Sequence, residues 1–246
     1  VENANFYFQI GENYYLAKIY EKAIENISSA IILAPQASEC YFYRGLSYLE
    51  TYELDKAFDD FDMASKIEQS NHEYYYYGSL VLDLLGRYDD ALERINLAIY
   101  LDSFQSKYYL ERGEIKAKVG LLDEAIGDFD LAMKLDPENK DTYINKELCF
   151  RGLGMNKEAI EISDYLIEKF PNQFEGYSKK AINLVSLENY KEALEYCDKA
   201  IKIDPLNAEI YYDKGYVYLS KKDYKNAIKE YNKALEIKPN TTFIYN

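Results

Sequence analysis

The chain has 246 residues, of which 48% are apolar and 29% are charged, so we expect a folded, water-soluble protein rather than a disordered one. It has no run of about 18 apolar residues, which argues against insertion into a membrane. Acidic residues outnumber basic ones 43 to 29, and the formal charge is −14. Such a surface repels phosphate, so we expect no nucleic-acid partner.

The cysteines and the single histidine exclude several kinds of site. Cys40, Cys149 and Cys197 are widely spaced and odd in number, so they indicate neither a disulfide framework nor a zinc motif. We expect them to act as small apolar residues in a reducing, cytoplasmic compartment. His72 alone cannot supply a multi-histidine metal site, and no glycine-rich phosphate loop is present. The sequence therefore predicts no catalytic residues, no cofactor and no metal site.

The strongest pattern in the sequence is a fixed period. Pro137, Pro171, Pro205 and Pro239 are evenly spaced, and Pro35 lies three periods before Pro137. A tyrosine series has the same interval: Tyr7, Tyr41, Tyr75, Tyr109, Tyr143, Tyr177, Tyr211 and Tyr245. A fixed period of about 34 residues is typical of a solenoid, in which structural repeats stack on their neighbours.

Four further series follow the same period. A first alanine series comprises Ala23, Ala57, Ala91, Ala125, Ala159, Ala193 and Ala227, and a second comprises Ala30, Ala64, Ala98, Ala132, Leu166, Ala200 and Ala234. The glycine series comprises Gly11, Gly45, Ser79, Gly113, Glu147, Ala181 and Gly215, and the apolar series comprises Ile27, Phe61, Ile95, Phe129, Ser163, Cys197 and Tyr231. Small residues let two helices approach closely, and we expect the tyrosine series to fill the adjoining space.

Each period has the spacing of two helices. In the last complete repeat, the first helix carries Tyr211, Gly215 and Tyr218 on one face, and the second carries Ala227, Tyr231 and Ala234 with the same spacing. The pattern breaks between them at Lys222 and Asp223, and Pro239 ends the second helix.

This order of aromatic residue, glycine, tyrosine, alanine, aromatic residue, alanine and proline resembles the tetratricopeptide repeat. The resemblance covers seven contiguous repeats in a single array over residues 1–246: 4–37, 38–71, 72–105, 106–139, 140–173, 174–207 and 208–241. It implies an all-α fold, a right-handed α-solenoid of stacked antiparallel helix pairs, and a role in protein–protein interaction. Residues 242–246 begin an eighth repeat, so we expect the chain, which starts at Val1, to be a segment of a longer protein.

Repeat 140–173 departs from the pattern in three positions. Glu147 replaces glycine, Ser163 replaces the apolar residue and Leu166 replaces alanine. The close contacts of the other repeats cannot all form there, so we predict looser packing or a local change of curvature.

In the tetratricopeptide repeat family, the first helices line a concave groove that binds peptides. The resemblance implies that the following residues line this groove: Phe8, Glu12, Tyr15, Phe42, Tyr43, Leu46, Tyr76, Tyr77, Leu80, Asp83, Leu110, Glu111 and Glu114. Exposed aromatic residues in a concave surface are typical binding hot spots, although an aromatic residue at these positions can also pack along the helix surface.

The net negative charge comes from one part of the array. Residues 1–139 hold 26 acids and 12 bases, whereas residues 140–246 hold 17 of each. This asymmetry favours a basic, partly apolar partner segment near the first four repeats, or it is simply a solvated acidic surface.

Some family members grip the terminal carboxylate of chaperone tails with Lys, Asn and Arg. The corresponding positions here hold Phe8, Glu12, Tyr43, Glu73 and Tyr77, so we expect no such clamp. Two alternatives to a peptide-binding module stay open. One is a structural array that self-associates through an uncapped C-terminal end, and the other is a repeat region that selects substrates for a larger, enzymatic protein.

Overall fold

The computed structural model describes residues 2–239, and all regular secondary structure in this range is α-helical. The fourteen helices are α1 (Glu2–Leu16), α2 (Tyr20–Leu33), α3 (Ser38–Glu50), α4 (Leu54–Ile67), α5 (His72–Leu84), α6 (Tyr88–Leu101), α7 (Ser106–Lys118), α8 (Leu122–Leu135), α9 (Lys140–Gly152), α10 (Asn156–Lys169), α11 (Glu175–Ser186), α12 (Tyr190–Ile203), α13 (Ala208–Ser220) and α14 (Tyr224–Ile237). The predicted all-α fold of helix pairs is confirmed. The predicted eighth repeat, with Tyr245, lies outside the described residues.

The chain divides into two compact units. The first unit is Val1–Asp136 with α1–α8, and the second is Pro137–Asn246 with α9–α14. Within each unit the helices pack in chain order, and each first helix packs against the second helix of its own pair. The first unit therefore contains four helix pairs and the second contains three.

A tight turn joins the two helices of every pair, and it contains one residue with a positive φ. These residues are Lys18, Tyr52, Gly86, Gly120, Gly154, Glu188 and Lys222, with φ between 57° and 85°. They occupy the same position in every repeat. Only glycine adopts this left-handed conformation without strain, and four of the seven positions hold another residue. The turn is therefore periodic in structure but only partly visible in the sequence.

The tyrosine series joins each first helix to the loop before it. In six repeats the tyrosine hydroxyl donates a hydrogen bond to the main-chain carbonyl six residues earlier, at 3.0–3.2 Å: Tyr41 to Pro35, Tyr75 to Gln69, Tyr109 to Ser103, Tyr143 to Pro137, Tyr177 to Pro171 and Tyr211 to Pro205. The acceptor is the residue at the periodic proline position. The hydroxyl makes this contact, so phenylalanine at the same position would lose it.

The space beside the glycine series is filled by the apolar series, not by the tyrosine series as the sequence pattern predicted. A Cβ atom on Gly45 would lie 2.9 Å from the Phe61 ring, and one on Gly113 would lie 2.5 Å from the Phe129 ring. The prediction was wrong because the filling side chain comes from the second helix of the same pair. The tyrosine series clusters instead with the second alanine series, as Tyr41 does with residues of α4.

Both alanine series are buried throughout the array, which agrees with their predicted role at close helix contacts. Repeat 140–173 differs in its interior. Glu147 and Ser163 are fully buried there, as is Asn183 of the next repeat, whose Nδ2 donates to Ser163 Oγ at 3.1 Å. The corresponding residues of the first unit are Gly45 and Phe61 of repeat 38–71 and Val81 of the repeat after it, and the last two share a hydrophobic cluster. A polar cluster thus replaces an apolar one at α9, α10 and α11.

Neither carboxylate oxygen of Glu147 has a well-oriented hydrogen-bond partner, and Arg151 Nε lies 3.8 Å from Oε1. Burial raises the pKa of Glu147, and the charge of Arg151 opposes this increase. Glu147, which replaces the glycine of the repeat pattern, therefore places an ionisable group inside the second unit. Whether packing is looser in this repeat stays a prediction.

Candidate functional site

Aromatic rings form a continuous row on one face of the first unit. The row, named here the aromatic ladder, consists of Phe8, Tyr43, Phe42, Tyr77, Tyr76 and Tyr108 on α1, α3, α5 and α7. Successive ring centroids are 5.5, 5.7, 5.4, 5.1 and 4.9 Å apart. Edge-on and tilted ring contacts at such distances stabilise one another. We call the surface of α1, α3, α5 and α7 that carries this ladder the first-helix face.

The ladder brings together five of the residues that the sequence predicted for a groove. Their rings are half-buried, so part of each ring is available to a ligand. Tyr15 lies beside them, 5.7 Å from the Tyr43 ring centroid, and Leu80 and Leu110 are also half-buried. Leu46, by contrast, is buried in the hydrophobic core of the second and third helix pairs and offers little contact surface.

Part of the aromatic ladder also packs against the core. The Phe42 ring lies 5.9 Å from that of Phe61, and the Tyr77 ring stacks on Phe61 at 5.6 Å. These rings therefore have the packing role that was left open in the sequence, in addition to a partly exposed side. Tyr108, which the groove prediction omitted, is fully buried and ends the ladder. The repeat pattern could have indicated Tyr108, because Tyr74 occupies the same position in the preceding repeat.

Acidic side chains accompany the tyrosines of the ladder. Burial, together with a hydrogen bond from the hydroxyl to Glu12, raises the pKa of Tyr43 to about 12. Burial also raises the pKa of Tyr77, with further increases from the charges of Glu73 and Glu50. These phenols remain neutral at physiological pH, so they present hydroxyl groups and ring faces beside carboxylates.

Three acidic residues lie together where α5 and α7 meet, and we call them the acidic pocket: Asp83, Glu111 and Glu114. Glu111 is only 6% exposed, and its Oε1 atom has no hydrogen-bond partner. Asp83 accepts from Lys118 Nζ at 2.5 Å through Oδ2, whereas its buried Oδ1 atom has no partner. Burial, followed by the charges of Asp83 and Glu114, raises the pKa of Glu111 to about 8.

A lysine of the chain itself already lies on the aromatic ladder. Lys107 Nζ is 4.7 Å from the ring centroid of Tyr76 and 5.5 Å from that of Tyr108. It also lies 3.5 Å from a carboxylate oxygen of Glu73. Aromatic faces attract cations through their quadrupole. The first-helix face thus accommodates an ammonium group between rings and a carboxylate.

An apolar cavity lies at the start of the ladder. It has a volume of about 390 Å³ and is lined by Ala4, Asn5, Phe8, Ala34, Ala37, Glu39 and Cys40. Phe8 therefore faces both the ladder and a recess of the size that holds an apolar side chain.

The second unit presents a different first-helix surface. Ser178 and Tyr212 occupy the positions of Phe42 and Tyr76 there, and Ser178 Oγ donates to Asp213. Burial raises the pKa of Asp213 to about 6, although the hydrogen bond from Ser178 opposes this increase. Lys179 lies 3.7 Å from a carboxylate oxygen of Glu209. Lys107 of the first unit and Lys179 of the second are thus both engaged with glutamates.

Within residues 2–239, no group of three or more His, Cys, Asp or Glu side chains is arranged to hold a metal ion. No helix in the same range has both the length and the apolar composition needed to cross a bilayer.

Comparison with known families matches the last two predicted repeats. The model of the tetratricopeptide repeat family matches residues 174–207 and, separately, residues 208–241. No curated protein matches the chain.

Solved structures of tetratricopeptide repeat proteins match between 73% and 98% of the chain. One, from Parabacteroides merdae, has a TM-score of 0.80 at 16% identity and covers 98% of this chain and 95% of that one. The C-terminal part of a repeat protein from Cytophaga hutchinsonii has a TM-score of 0.74 at 18% identity, with 96% of both chains covered. YrrB, described as a repeat protein with an unusual peptide-binding site, has a TM-score of 0.54 at 23% identity and covers 73% of this chain and 93% of its own. At these identities the likeness shows the fold alone.

Proposed function

We propose that this array of tetratricopeptide-type repeats is a non-catalytic scaffold that binds a segment of a partner protein along the first-helix face of its first unit. Proteins of this family generally bind protein partners. The observation that carries the proposal is the aromatic ladder, because half-buried aromatic rings in an unbroken row are the kind of surface that anchors a bound segment.

The charges of the first-helix face indicate the chemistry of the partner. Seven acids lie among its residues: Glu12, Glu39, Glu50, Glu73, Asp83, Glu111 and Glu114. Only two lysines accompany them, and both already pair with an acid of the preceding first helix, Lys107 with Glu73 and Lys118 with Asp83. Charge complementarity therefore favours a basic segment, and the ladder favours apolar side chains within it. The cavity beside Phe8 offers a place for one such apolar side chain.

Catalysis is a poor alternative for this chain, since the repeat fold is generally non-catalytic. The three cysteines are buried and unpaired within the described residues. Burial raises the pKa of Cys40 and of Cys149 to about 11, so both thiols stay protonated and are weak nucleophiles. Free buried thiols also support our placement of the protein in the reducing cytoplasm.

The test begins with a random library of twelve-residue peptides displayed on phage and selected on the purified protein. Enriched peptides are then synthesised with a fluorescent label, and their affinities are measured by anisotropy. We expect basic peptides with aromatic or leucine residues. We also expect Phe42→Ala combined with Tyr76→Ala to weaken binding by at least about a hundredfold, since each anchor contributes roughly 2 kcal/mol or more.

The matched control is Tyr100→Ala combined with Phe104→Ala, which removes two aromatic side chains that are 85% and 80% exposed, one on α6 and one in the loop after it. This control should bind like the wild type. Because Phe42 also packs on the core, Phe8→Ser at the edge of the ladder serves as a milder variant, and circular dichroism checks that each variant is folded. Equal affinity of all variants would contradict the proposal, and a concentration-dependent mass without peptide binding would favour the self-associating alternative.

A further inference from the structure

The acidic pocket brings three acidic side chains together beside one lysine. Asp83, Glu111 and Glu114 meet there, and Lys118 is the cation whose charge acts on Glu111. Lys118 reaches only one oxygen of Asp83, and 43% of its side chain remains exposed to solvent. The pocket therefore places three acidic side chains beside Lys118.

Two buried oxygens of the pocket have no hydrogen-bond donor. They are Oδ1 of Asp83, whose side chain is 8% exposed, and Oε1 of Glu111, a residue that is 6% exposed. A buried carboxyl oxygen without a donor is unfavourable, and a cation with N–H groups both supplies the donor and stabilises the ionised form that burial disfavours. Two such oxygens on neighbouring helices indicate a site for donors from outside the chain.

Building on the proposed function, we propose that the acidic pocket binds one lysine or arginine side chain of the partner segment. Its ammonium or guanidinium group would donate to Asp83 and Glu111. Tyr76 lies close enough for the charges of Glu111 and Glu114 to act on its hydroxyl. The alkyl stem of the bound side chain can therefore lie on the aromatic ladder while its head reaches the carboxylates.

Lys107 shows that this face suits such a group, because its ammonium lies over the ring of Tyr76 and close to a carboxylate. A metal ion is a weaker occupant, since no three His, Cys, Asp or Glu side chains in the described part of the chain are placed so that they could hold one. A nucleic acid is repelled by the same carboxylates that attract a basic side chain.

The experiment uses a lysine- or arginine-containing peptide that the library selection enriches, together with copies in which each basic residue in turn is replaced by norleucine. Norleucine keeps the alkyl stem but removes the charge. At one basic position of the peptide, we expect norleucine to weaken binding to the wild-type protein about tenfold or more. The same replacement should weaken binding to Glu111→Gln less than about threefold, because the pocket and the cation act as a pair. Glu93 is an exposed acid on α6, and Glu93→Gln is the control. Its binding should weaken on norleucine replacement as much as that of the wild type.

A second variant acts in the opposite direction, so misfolding cannot imitate its effect. Lys118→Gln removes the internal competitor and should tighten binding of the basic peptide about two- to fivefold, with no gain for the norleucine peptide. Equal losses in the wild type and in Glu111→Gln would overturn the inference while the proposed function stands. If no peptide is enriched, or if enriched peptides ignore Phe42→Ala combined with Tyr76→Ala, the proposed function fails and the inference fails with it.

Discussion

The hydroxyl of Tyr109 donates a hydrogen bond to the main-chain carbonyl of Ser103 at 3.1 Å, and this contact ties the start of α7 to the loop that follows α6. Ser103 belongs to one predicted repeat and Tyr109 to the next. The contact therefore fixes where each helix pair begins relative to the pair before it. The same geometry recurs through the described chain with proline or glutamine in place of Ser103.

Replacing Tyr109 by phenylalanine removes only the hydroxyl. We expect Tyr109→Phe to lower the free energy of unfolding by about 1 kcal/mol, because the Ser103 carbonyl loses its donor. Urea denaturation measures the loss, and hydrogen exchange should locate it at the loop between α6 and α7. Tyr100→Phe, at an 85% exposed position, is the control and should leave stability unchanged. Equal effects of both substitutions would contradict the role of the hydrogen bond.

The contact between Gly113 and Phe129 predicts that the two positions are coupled. Gly113→Ser should destabilise the protein by about 1–3 kcal/mol, since any Cβ atom at Gly113 meets the Phe129 ring at 2.5 Å. Adding Phe129→Ile should recover part of the loss, because repeat 72–105 naturally combines Ser79 with an isoleucine at this position.

Gly127 is the matched control for this prediction. It is a helical, exposed glycine of α8, and a Cβ atom there would meet nothing within 4 Å. Gly127→Ala should therefore stabilise the protein by up to about 1 kcal/mol through helix propensity alone. Thermal unfolding of the three variants and the wild type measures these differences. A double variant that is no more stable than Gly113→Ser would exclude the coupling.

The buried carboxyl of Glu111 predicts how stability depends on pH. Burial raises its pKa to about 8 in the folded protein, whereas the unfolded chain has the ordinary value of about 4.3. Between these values the folded state binds more protons than the unfolded state, so stability falls as the pH rises, by up to about 1.4 kcal/mol per pH unit. Glu111→Gln cannot titrate and should reduce this decrease, leaving the smaller contribution of Asp213, whose pKa is about 6.

Urea denaturation at about pH 5, 6.5 and 8 tests this prediction, and the window follows from the two pKa values. Glu93→Gln is the control, because it removes an exposed acid and should retain the wild-type dependence on pH. Curves for Glu111→Gln and the wild type that run parallel over this range would show that Glu111 titrates normally in the folded protein.

The polar cluster of the second unit predicts a local weakness. Replacing Glu147, Ser163 and Asn183 together by Gly, Phe and Val reproduces the arrangement of Gly45, Phe61 and Val81 in the first unit. We expect this triple variant to stabilise the second unit by about 1–4 kcal/mol, because buried polar groups without full hydrogen bonding give way to apolar packing.

Hydrogen exchange gives the readout for the second unit. In the wild type, α9–α11 should exchange faster than α7, α8 and α12, and the triple variant should slow their exchange. Glu147→Gly alone is the control. It should not slow the exchange of α9–α11, because it leaves space beside Ser163. Uniform protection over residues 106–207 in the wild type would contradict the predicted looseness of repeat 140–173.

The repeat period was sufficient to predict the fold, because packing between repeats requires the same small and large residues at the same positions each time. It predicted the helix pairs and the buried alanines directly. It could not identify the partner of Gly45, since a repeat pattern gives positions along the chain but not which of two neighbouring helices supplies the filling side chain. That assignment needs distances in space.

The candidate site was predictable only in outline. The stripe that contains Phe42 and Tyr76 follows from helix geometry and the family resemblance. The raised pKa of Glu111 does not, because it depends on burial and on the charge of Asp83 on α5 in the preceding repeat. The positive φ of Tyr52 and Lys222 was hidden for another reason. Their side chains tolerate a strained conformation that the turn imposes, so no glycine marks it.

The pairing of the glycine series with the apolar series has a consequence for how such an array can evolve. Both members of a pair lie within one repeat, so duplication of a whole repeat copies a complementary pair intact. Recombination inside a repeat separates the two members of a pair. If α7 and α9 were exchanged between their repeats, Glu147 would meet Phe129 and Gly113 would meet Ser163. The first combination overfills the interior and the second leaves a hole. The heritable module of this protein is therefore the helix pair, and an insertion or exchange is tolerated best in the loops between pairs.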